Sequence, residues 1–212
     1  MTTVVAIEQD YDEVTARAQS VREDLVYSHE SLRQPGGRHT LVRCFNNQAI
    51  PNEVAAALRD SAVGFITGVG HGSYTRFTGQ HGVVLLDALH LPVDHVLGRI
   101  IHLLSCQTGG ILGLMCVQNG AIAFWGYSVD FAFPVGSDEA LTRAFLQMDA
   151  LIDRGVLAGR RPDEIYNAVT RHFWDVYAQL VDRGSPWAAE LLDDYVHLVC
   201  PVLSWGSPTA TL

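Results

Sequence analysis

Short apolar runs alternate with amphipathic stretches over roughly the first 126 residues of the chain. Apolar runs bounded by glycine are typical of buried strands, and apolar residues three and four positions apart are typical of helices. The runs predict strands at Thr2–Ile7, His39–Phe45, Ala62–Val69, Ile100–Leu104 and Ala121–Gly126, with a weaker one at Val83–Leu86. The intervening stretches predict helices at Val14–Tyr27, Pro51–Leu58 (with Asn52 as the N-cap) and Gly110–Gln118. Strands alternating with helices indicate an α/β fold with a mostly parallel sheet.

The pattern becomes purely helical after residue 136. Apolar residues at helical spacing predict one helix that is capped by Ser137 and ends at Gly155, and another that begins at Pro162. A third, shorter helix is predicted over Pro186–Val199. We therefore expect a single domain, with a sheet-forming core in 1–136, helices in 137–200 and a tail in 201–212.

Composition and charge narrow the class of protein. The chain has 212 residues, of which 48% are hydrophobic, and this suits one domain with a large core. The formal charge is −9 and no lysine is present, which argues against nucleic acid as the main partner. Neither a membrane-spanning run nor a signal peptide is recognisable. The four cysteines lack metal-type spacing, so we expect reduced thiols in a cytoplasmic protein without a metal or cofactor.

Two of the predicted strands lead directly into a reactive residue. His71 lies within Gly-His-Gly after Ala62–Val69, and Cys106 lies within Ser-Cys-Gln-Thr-Gly-Gly after Ile100–Leu104. Ligands of parallel sheets bind beyond the carboxyl ends of the strands, so we expect both side chains at one edge of the sheet. A thiol beside an imidazole indicates a cysteine nucleophile with its base. The helix predicted after Cys106 would lower the pKa of this thiol.

Other interpretations of these residues are open at this point. From spacing alone, Cys106 fits a buried structural thiol as well as it fits a nucleophile. The run Gly68–Ser73 has only part of a dinucleotide fingerprint, since Ser73 replaces the third glycine and no helix is predicted to follow. A zinc site built from His71, His81 and Cys106 lacks compact ligand spacing.

The motifs around His71 and Cys106 resemble those of the caspase–hemoglobinase group (clan CD) of cysteine peptidases. The gingipain-like and CHAT-type branches of this group are the most similar. The matching segments are Gly70–Ser73, Ser105–Gly109 and Gly120–Gly126. Cys44-Phe45-Asn46 and the C-terminal Trp205-Gly206-Ser207-Pro208 are also similar, although gingipain-like proteins usually have Gly-Asp-Pro there.

The resemblance implies a caspase-like three-layer α/β/α sandwich that carries a His/Cys dyad. Cys106 would be the nucleophile, and His71 would be the base that later protonates the leaving amine. The backbone N–H groups of Gly72 and Cys106 would hold the oxyanion, a role for which the lack of a side chain at Gly72 is favourable. The resemblance does not require a third catalytic residue in addition to Cys106 and His71.

The implied activity is that of an endopeptidase that acts on a protein or peptide substrate through a thioester. Ala121–Ser128 and Val129–Pro134 would line the cleft, with Trp125, Tyr127 and Phe131 as substrate-binding aromatic residues. Asp10 or Asp130 would select Arg or Lys before the scissile bond, with a bulky apolar residue as the alternative. A catalytically silent peptide-binding domain, or another cysteine hydrolase or acyltransferase, remains open. The sequence does not predict the oligomeric state.

Overall fold

The computed structural model describes residues 2–33, 37–136 and 138–199. The strands are β1 (Thr2–Glu8), β2 (His39–Phe45), β3 (Val63–Val69), β4 (Arg76–Thr78), β5 (Val84–Asp87), β6 (Ile100–Leu104), β7 (Ala123–Tyr127) and β8 (Leu198–Val199). The helices are α1 (Glu13–Leu25), α2 (Glu30–Arg33), α3 (Pro51–Leu58), α4 (Ile111–Gln118), α5 (Glu139–Leu157), α6 (Pro162–Asp182) and α7 (Trp187–Val196). Within these ranges, none of the helices has both the length and the apolar character that crossing a bilayer requires.

Six strands form one sheet in the order β2-β1-β3-β6-β7-β8. All neighbours are parallel except β8, which runs antiparallel to β7. The short strands β4 and β5 form a separate antiparallel pair. The predicted α/β fold with a mostly parallel sheet is therefore confirmed. The order places β3 beside β6, so the loops that follow these two strands leave the sheet as neighbours.

The sheet is covered on both faces, and successive residues of a strand belong to different cores. In β1, Val4 and Ala6 pack with α1, α5, α6 and α7, on what we call the α5 face. Val5 and Ile7 pack with α3, α4 and the β4–β5 pair, on what we call the α4 face. Helices on both faces explain why the strands read as continuous apolar runs, and they confirm the three-layer α/β/α arrangement.

Two predicted helix caps differ in the structure. The N-cap of α3 is Ile50, which makes no side-chain cap hydrogen bond, so the predicted cap at Asn52 is wrong. Proline occupies the first position of this helix, where its missing N–H is not needed. The N-cap of α5 is Asp138, whose carboxylate accepts a 2.9 Å hydrogen bond from the Leu141 amide. The predicted cap Ser137 lies outside the described residues.

The C-terminal half differs from the prediction at two points. Gly155 does not end α5 but lies inside it, and a Cβ atom at this position would approach Ile165 Cγ1 of α6 to 2.5 Å. Glycine here allows the close approach of the two helices. The third predicted helix ends at Val196 and is followed by β8, which the sequence did not predict. The predicted tail 201–212, with the Trp205–Pro208 motif, lies outside the described residues.

Candidate active site

The loops that follow β3 and β6 are in direct contact. Val69 and Leu104 are paired in register at the ends of these strands. A Cβ atom at Gly72 would lie only 2.4 Å from the Cys106 carbonyl oxygen, so the two backbones meet here and leave no room for a side chain. His71 and Cys106 line the same cleft at this edge of the sheet.

This cleft encloses about 400 Å³, part of it open to solvent. Its apolar lining comes from α1, from the last residues of β3 and β6 and from the segment after β7: Val14, Ala18, Val69, Leu104, Phe131 and Phe133. Thr15 and Ser105 add polar groups beside His71 and Cys106. No Asp, Glu or Arg residue of the described part of the chain lines it.

His71 is held by a carboxylate that the sequence analysis did not identify as its partner. His71 Nε2 lies 2.5 Å from Asp12 Oδ2. Asp12 is also the N-cap of α1, because its Oδ1 accepts 2.9 Å hydrogen bonds from the amide and the hydroxyl of Thr15. Burial raises the pKa of Asp12, but the hydrogen bonds from Thr15 and His71 outweigh it and hold the pKa below its usual value. The Asp-x-x-Thr spacing at the start of a helix signals the cap in the sequence, but it does not signal the contact with His71.

The backbone of His71 is fixed on both sides. Gln9 is fully buried, and in the amide orientation that satisfies both of its groups, its oxygen accepts from the His71 N–H at 2.7 Å. Its nitrogen then donates to the Gly79 carbonyl. The His71 carbonyl accepts from the Thr78 amide at 2.9 Å and from the Thr78 hydroxyl at 3.1 Å. The imidazole is therefore positioned before any ligand binds.

The Cys106 thiol is half-buried, and its pKa is raised. Burial is the main cause, and the negative charge of the nearby Asp130 carboxylate acts in the same direction. The backbone N–H of Phe131 favours the thiolate and opposes both effects. The predicted lowering by a helix N-terminus is wrong because α4 begins only at Ile111, after an intervening turn. Gln107 in this turn has a φ of 59°, which non-glycine residues rarely adopt.

The backbone amides of Gly72 and Cys106, where the two loops meet, have no acceptor among the residues that the structure describes. The amide of Gly72 lies between the hydrogen bonds that Ser73 and Thr78 make to the opposite strand, and it takes part in neither. The Cys106 amide likewise has no acceptor among the described residues. Unpaired N–H groups next to a thiol are suited to binding a carbonyl oxygen that gains negative charge.

Neither of the two acids predicted for substrate selection lines the cleft. Asp10 exchanges hydrogen bonds with the Gln80 side chain, through its amide at 3.2 Å and its carboxylate at 3.1 Å. Asp130 is exposed and accepts a 2.9 Å hydrogen bond from Gln107 Nε2. Both carboxylates are therefore partly satisfied within the protein, and Asp130 acts on the Cys106 thiol.

Of the predicted aromatic contacts, only Phe131 lines the cleft. Trp125 is 1% exposed and Tyr127 is fully buried, and both belong to the core of the α5 face. The prediction that they contact substrate is not met by this structure, since β7 is covered on both faces. Tyr127 instead packs on the Phe131 ring at a centroid distance of 4.5 Å. Phe133, which also lines the cleft, lies within the segment Val129–Pro134 that was predicted to do so, whereas the α1 residues Val14 and Ala18 line it without having been predicted.

A fully buried polar group, which we call the Arg22 cluster, lies on the α5 face of the sheet. Arg22 Nη1 lies 2.9 Å from Asp149 and 2.7 Å from Asp153, and its Nε lies 2.9 Å from Glu8. His102 Nε2 lies 3.0 Å from Asp149, and its Nδ1 makes a less well aligned contact of 3.1 Å with Asp153. The cluster joins α1, the sheet and α5.

His102, Asp149 and Asp153 bring possible metal-ligating atoms within 4.8 Å of one another. The charges nearby argue for an ion-pair network instead. Burial lowers the pKa of His102, but the two aspartates outweigh it and raise the pKa to about 9, so the ring is cationic at neutral pH. A metal would need this ring in its neutral form and would lie beside the Arg22 guanidinium.

Comparison with family models gives no match for this chain, and comparison with curated proteins gives none either. Among solved structures, a complex of the pro- and mature domains of RgpB, a gingipain of Porphyromonas gingivalis, is similar. The match has 11% identity and a TM-score of 0.49, and it covers 98% of this chain and 47% of that chain. This chain thus spans about half the length of the RgpB chain. The α/β/α assignment rests on the strand order and the two cores described above.

Proposed function

We propose that this protein is a cysteine endopeptidase in which Cys106 is the nucleophile and His71 is its general base and acid. The observation that carries the proposal is that both side chains line one cleft, with His71 held by the Asp12 carboxylate. A nucleophile beside a base that is oriented by a third group is the arrangement of covalent hydrolases. The unpaired amides of Gly72 and Cys106 supply the donors that an oxyanion needs.

The thiol rests in its protonated form, because the pKa of Cys106 is raised. The proton therefore passes to His71 as the sulfur attacks the carbonyl carbon of the substrate. Asp12 keeps the imidazole in place and stabilises the imidazolium that forms. The carbonyl oxygen becomes an oxyanion and accepts hydrogen bonds from the Gly72 and Cys106 amides. The Phe131 N–H stabilises negative charge on the sulfur before the new bond forms.

The attack leaves a tetrahedral intermediate that carries the oxyanion. When this intermediate collapses, the C–N bond of the substrate breaks and His71 gives its proton to the departing amine. The acyl group is left on Cys106 as a thioester. A water molecule then attacks the thioester carbon while His71 accepts one of its protons. The C–S bond breaks, the carboxylic acid product leaves, and the proton returns from His71 to the thiolate.

The alternative is a catalytically silent peptide-binding domain that uses the same cleft. The observation that favours it is the raised pKa of Cys106, to which the Asp130 carboxylate contributes. A low population of thiolate is expected to slow reactions in which His71 does not assist.

The two functions are separated by reaction with a peptidyl acyloxymethyl ketone, followed by mass spectrometry of the digested protein. The peptidase proposal expects one adduct on Cys106, no adduct in Cys106→Ala and a strongly reduced rate in His71→Ala. Cys116→Ala is the matched control, because Cys116 is buried and its pKa is raised to about 12. Absence of an adduct on Cys106, together with no cleavage of a tetrapeptide library, would instead support the silent binder.

A further inference from the structure

The cleft beside Cys106 continues the hydrophobic core of the α5 face to the surface of the protein. Ala18, Val69, Leu104 and Phe133 belong both to this core and to the lining of the cleft. Phe131 packs against the same core from the segment after β7. A side chain that enters the cleft therefore meets hydrocarbon on three sides, from α1, from the strand ends and from residues 131–133.

The two hydroxyl groups in the lining already have partners within the protein. The Thr15 hydroxyl donates to Asp12 Oδ1 at 2.9 Å, and the Ser105 hydroxyl shares a 2.8 Å hydrogen bond with the Thr108 hydroxyl. A polar side chain of a substrate would lose its water in this cleft and gain few hydrogen bonds in return.

The acidic residues around the cleft are also either paired within the protein or neutral. Asp12 is held by Thr15 and His71. Asp194, which is 1% exposed and accepts from the Ala132 amide, has its pKa raised to about 8 by burial and is therefore mostly neutral at pH 7. Asp10 and Asp130 lie outside the lining and each accepts a hydrogen bond from a glutamine side chain, so no carboxylate of the described residues lies in the walls of the cleft to pair with a cationic side chain.

We propose that this cleft binds the side chain of the residue whose carbonyl Cys106 attacks, and that it selects a bulky apolar side chain such as Leu, Met or Phe over Arg, Lys or Asp. The inference rests on the proposed peptidase function and names its substrate class. The cleft is formed by Val69 and Leu104, the last residues of the strands that lead to His71 and Cys106. The substrate side chain next to the attacked carbonyl is therefore the one that reaches Val69 and Leu104.

The test compares kcat/KM for five peptide substrates that differ only in the residue before the scissile bond: Leu, Phe, Ala, Arg and Asp. Wild-type protein is expected to cleave the Leu or Phe peptide at least about tenfold faster than the Arg and Asp peptides. A preference for Arg or Asp overturns the inference and leaves the peptidase function intact. Cleavage of none of the peptides removes the peptidase function instead.

A peptide-binding assay tests the inference even if the protein cleaves no peptide. In Cys106→Ala, fluorescence anisotropy of labelled Leu and Arg peptides is expected to show tighter binding of the Leu peptide by about tenfold or more. Equal or tighter binding of the Arg peptide overturns the inference even if the protein is catalytically silent.

Val14 offers a variant with a matched control. It lies in the first turn of α1, is 43% exposed and lines the cleft, so a polar residue is tolerated there. Val14→Asp is expected to shift the ratio of kcat/KM from Leu towards Arg by about tenfold, whereas Val14→Asn, which has the same shape without the charge, is not. If Val14→Asp and Val14→Asn give the same ratio, the cleft is not where this side chain binds. Melting temperatures of both variants confirm that they fold.

Discussion

The contact between Asp12 and His71 is expected to control turnover more than substrate binding. The two carboxylate oxygens of Asp12 have different partners: Oδ2 contacts His71, and Oδ1 caps α1 through Thr15. Asp12→Asn retains the cap, because Asn and Asp are comparable N-cap residues. The same change removes the negative charge that stabilises an imidazolium. The variant therefore isolates the action of Asp12 on His71 from its action on the helix.

The size of the effect follows from the kind of hydrogen bond and from its exposure. A hydrogen bond to a charged group contributes about 1.5–3 kcal/mol, and about 1.4 kcal/mol corresponds to a factor of ten in rate. The side chains of His71 and Asp12 are 45% and 32% exposed, so solvent screens the pair and the lower part of the range applies. We expect kcat of Asp12→Asn to fall by about 10- to 30-fold, with KM nearly unchanged.

The assay measures kcat and KM on the best peptide substrate, together with the free energy of unfolding. Asp12→Ala is the matched comparison, because it loses the cap as well and is expected to unfold about 0.5–2 kcal/mol more easily than Asp12→Asn. A wild-type kcat in Asp12→Asn would show that this carboxylate does not position the imidazole. A rise in KM at constant kcat would place Asp12 in substrate binding instead.

Three further changes test other contacts of the site. Asp130→Asn removes a negative charge that raises the pKa of Cys106, so alkylation by iodoacetamide at pH 7 should accelerate about two- to fivefold; an unchanged pH midpoint of alkylation would contradict this. Gly72→Ala should lower stability by about 1–3 kcal/mol and impair activity, because its Cβ would meet the Cys106 carbonyl; a wild-type melting temperature and rate would show that the two loops are not in contact. Arg22→Met should lower the free energy of unfolding by about 3–5 kcal/mol at pH 7, as measured by urea denaturation, and a loss below about 1 kcal/mol would refute the buried pairing.

Five of the six strands of the main sheet, all except β8, were predictable from the sequence because burial on both faces makes them short apolar runs; the short strand β4 of the separate pair was not predicted. His39–Phe45 and Ile100–Leu104 have the predicted bounds. The same burial explains why Trp125 and Tyr127, contrary to the prediction, do not line the cleft. Both faces of β7 are covered, so neither side chain has a solvent face on which to meet a substrate. The short strand β8 was not predictable, because its pairing with β7 arises only when α7 brings it to the edge of the sheet.

The site was predictable only as far as it follows from strand ends. The placement of His71 and Cys106 in one cleft follows from the adjacency of β3 and β6. The role of Asp12 depends on where the first turn of α1 meets the loop after β3, and no local pattern encodes that meeting. The part of the apolar lining that comes from α1 was missed for a similar reason, because Val14 and Ala18 fit the apolar stripe of an amphipathic helix and gave no other signal.

The Arg22 cluster ties the position of α1, and hence of Asp12, to the charge state of buried groups. In Arg22→Met, His102 would be the one cationic neighbour left, among the described residues, to the carboxyl groups of Glu8, Asp149 and Asp153. Protonation of the carboxylates relieves this imbalance, so the stability difference from wild type should shrink as the pH falls from 7 to 5.

In the wild type, the pKa of His102 is raised to about 9, above its ordinary value near 6.5. Its contribution, about 3 kcal/mol, is therefore present in full below about pH 6.5 and is lost as the pH rises through 9. A free energy of unfolding that stays level between pH 7 and 10 would mean that His102 is neutral and that Arg22 alone balances the aspartates.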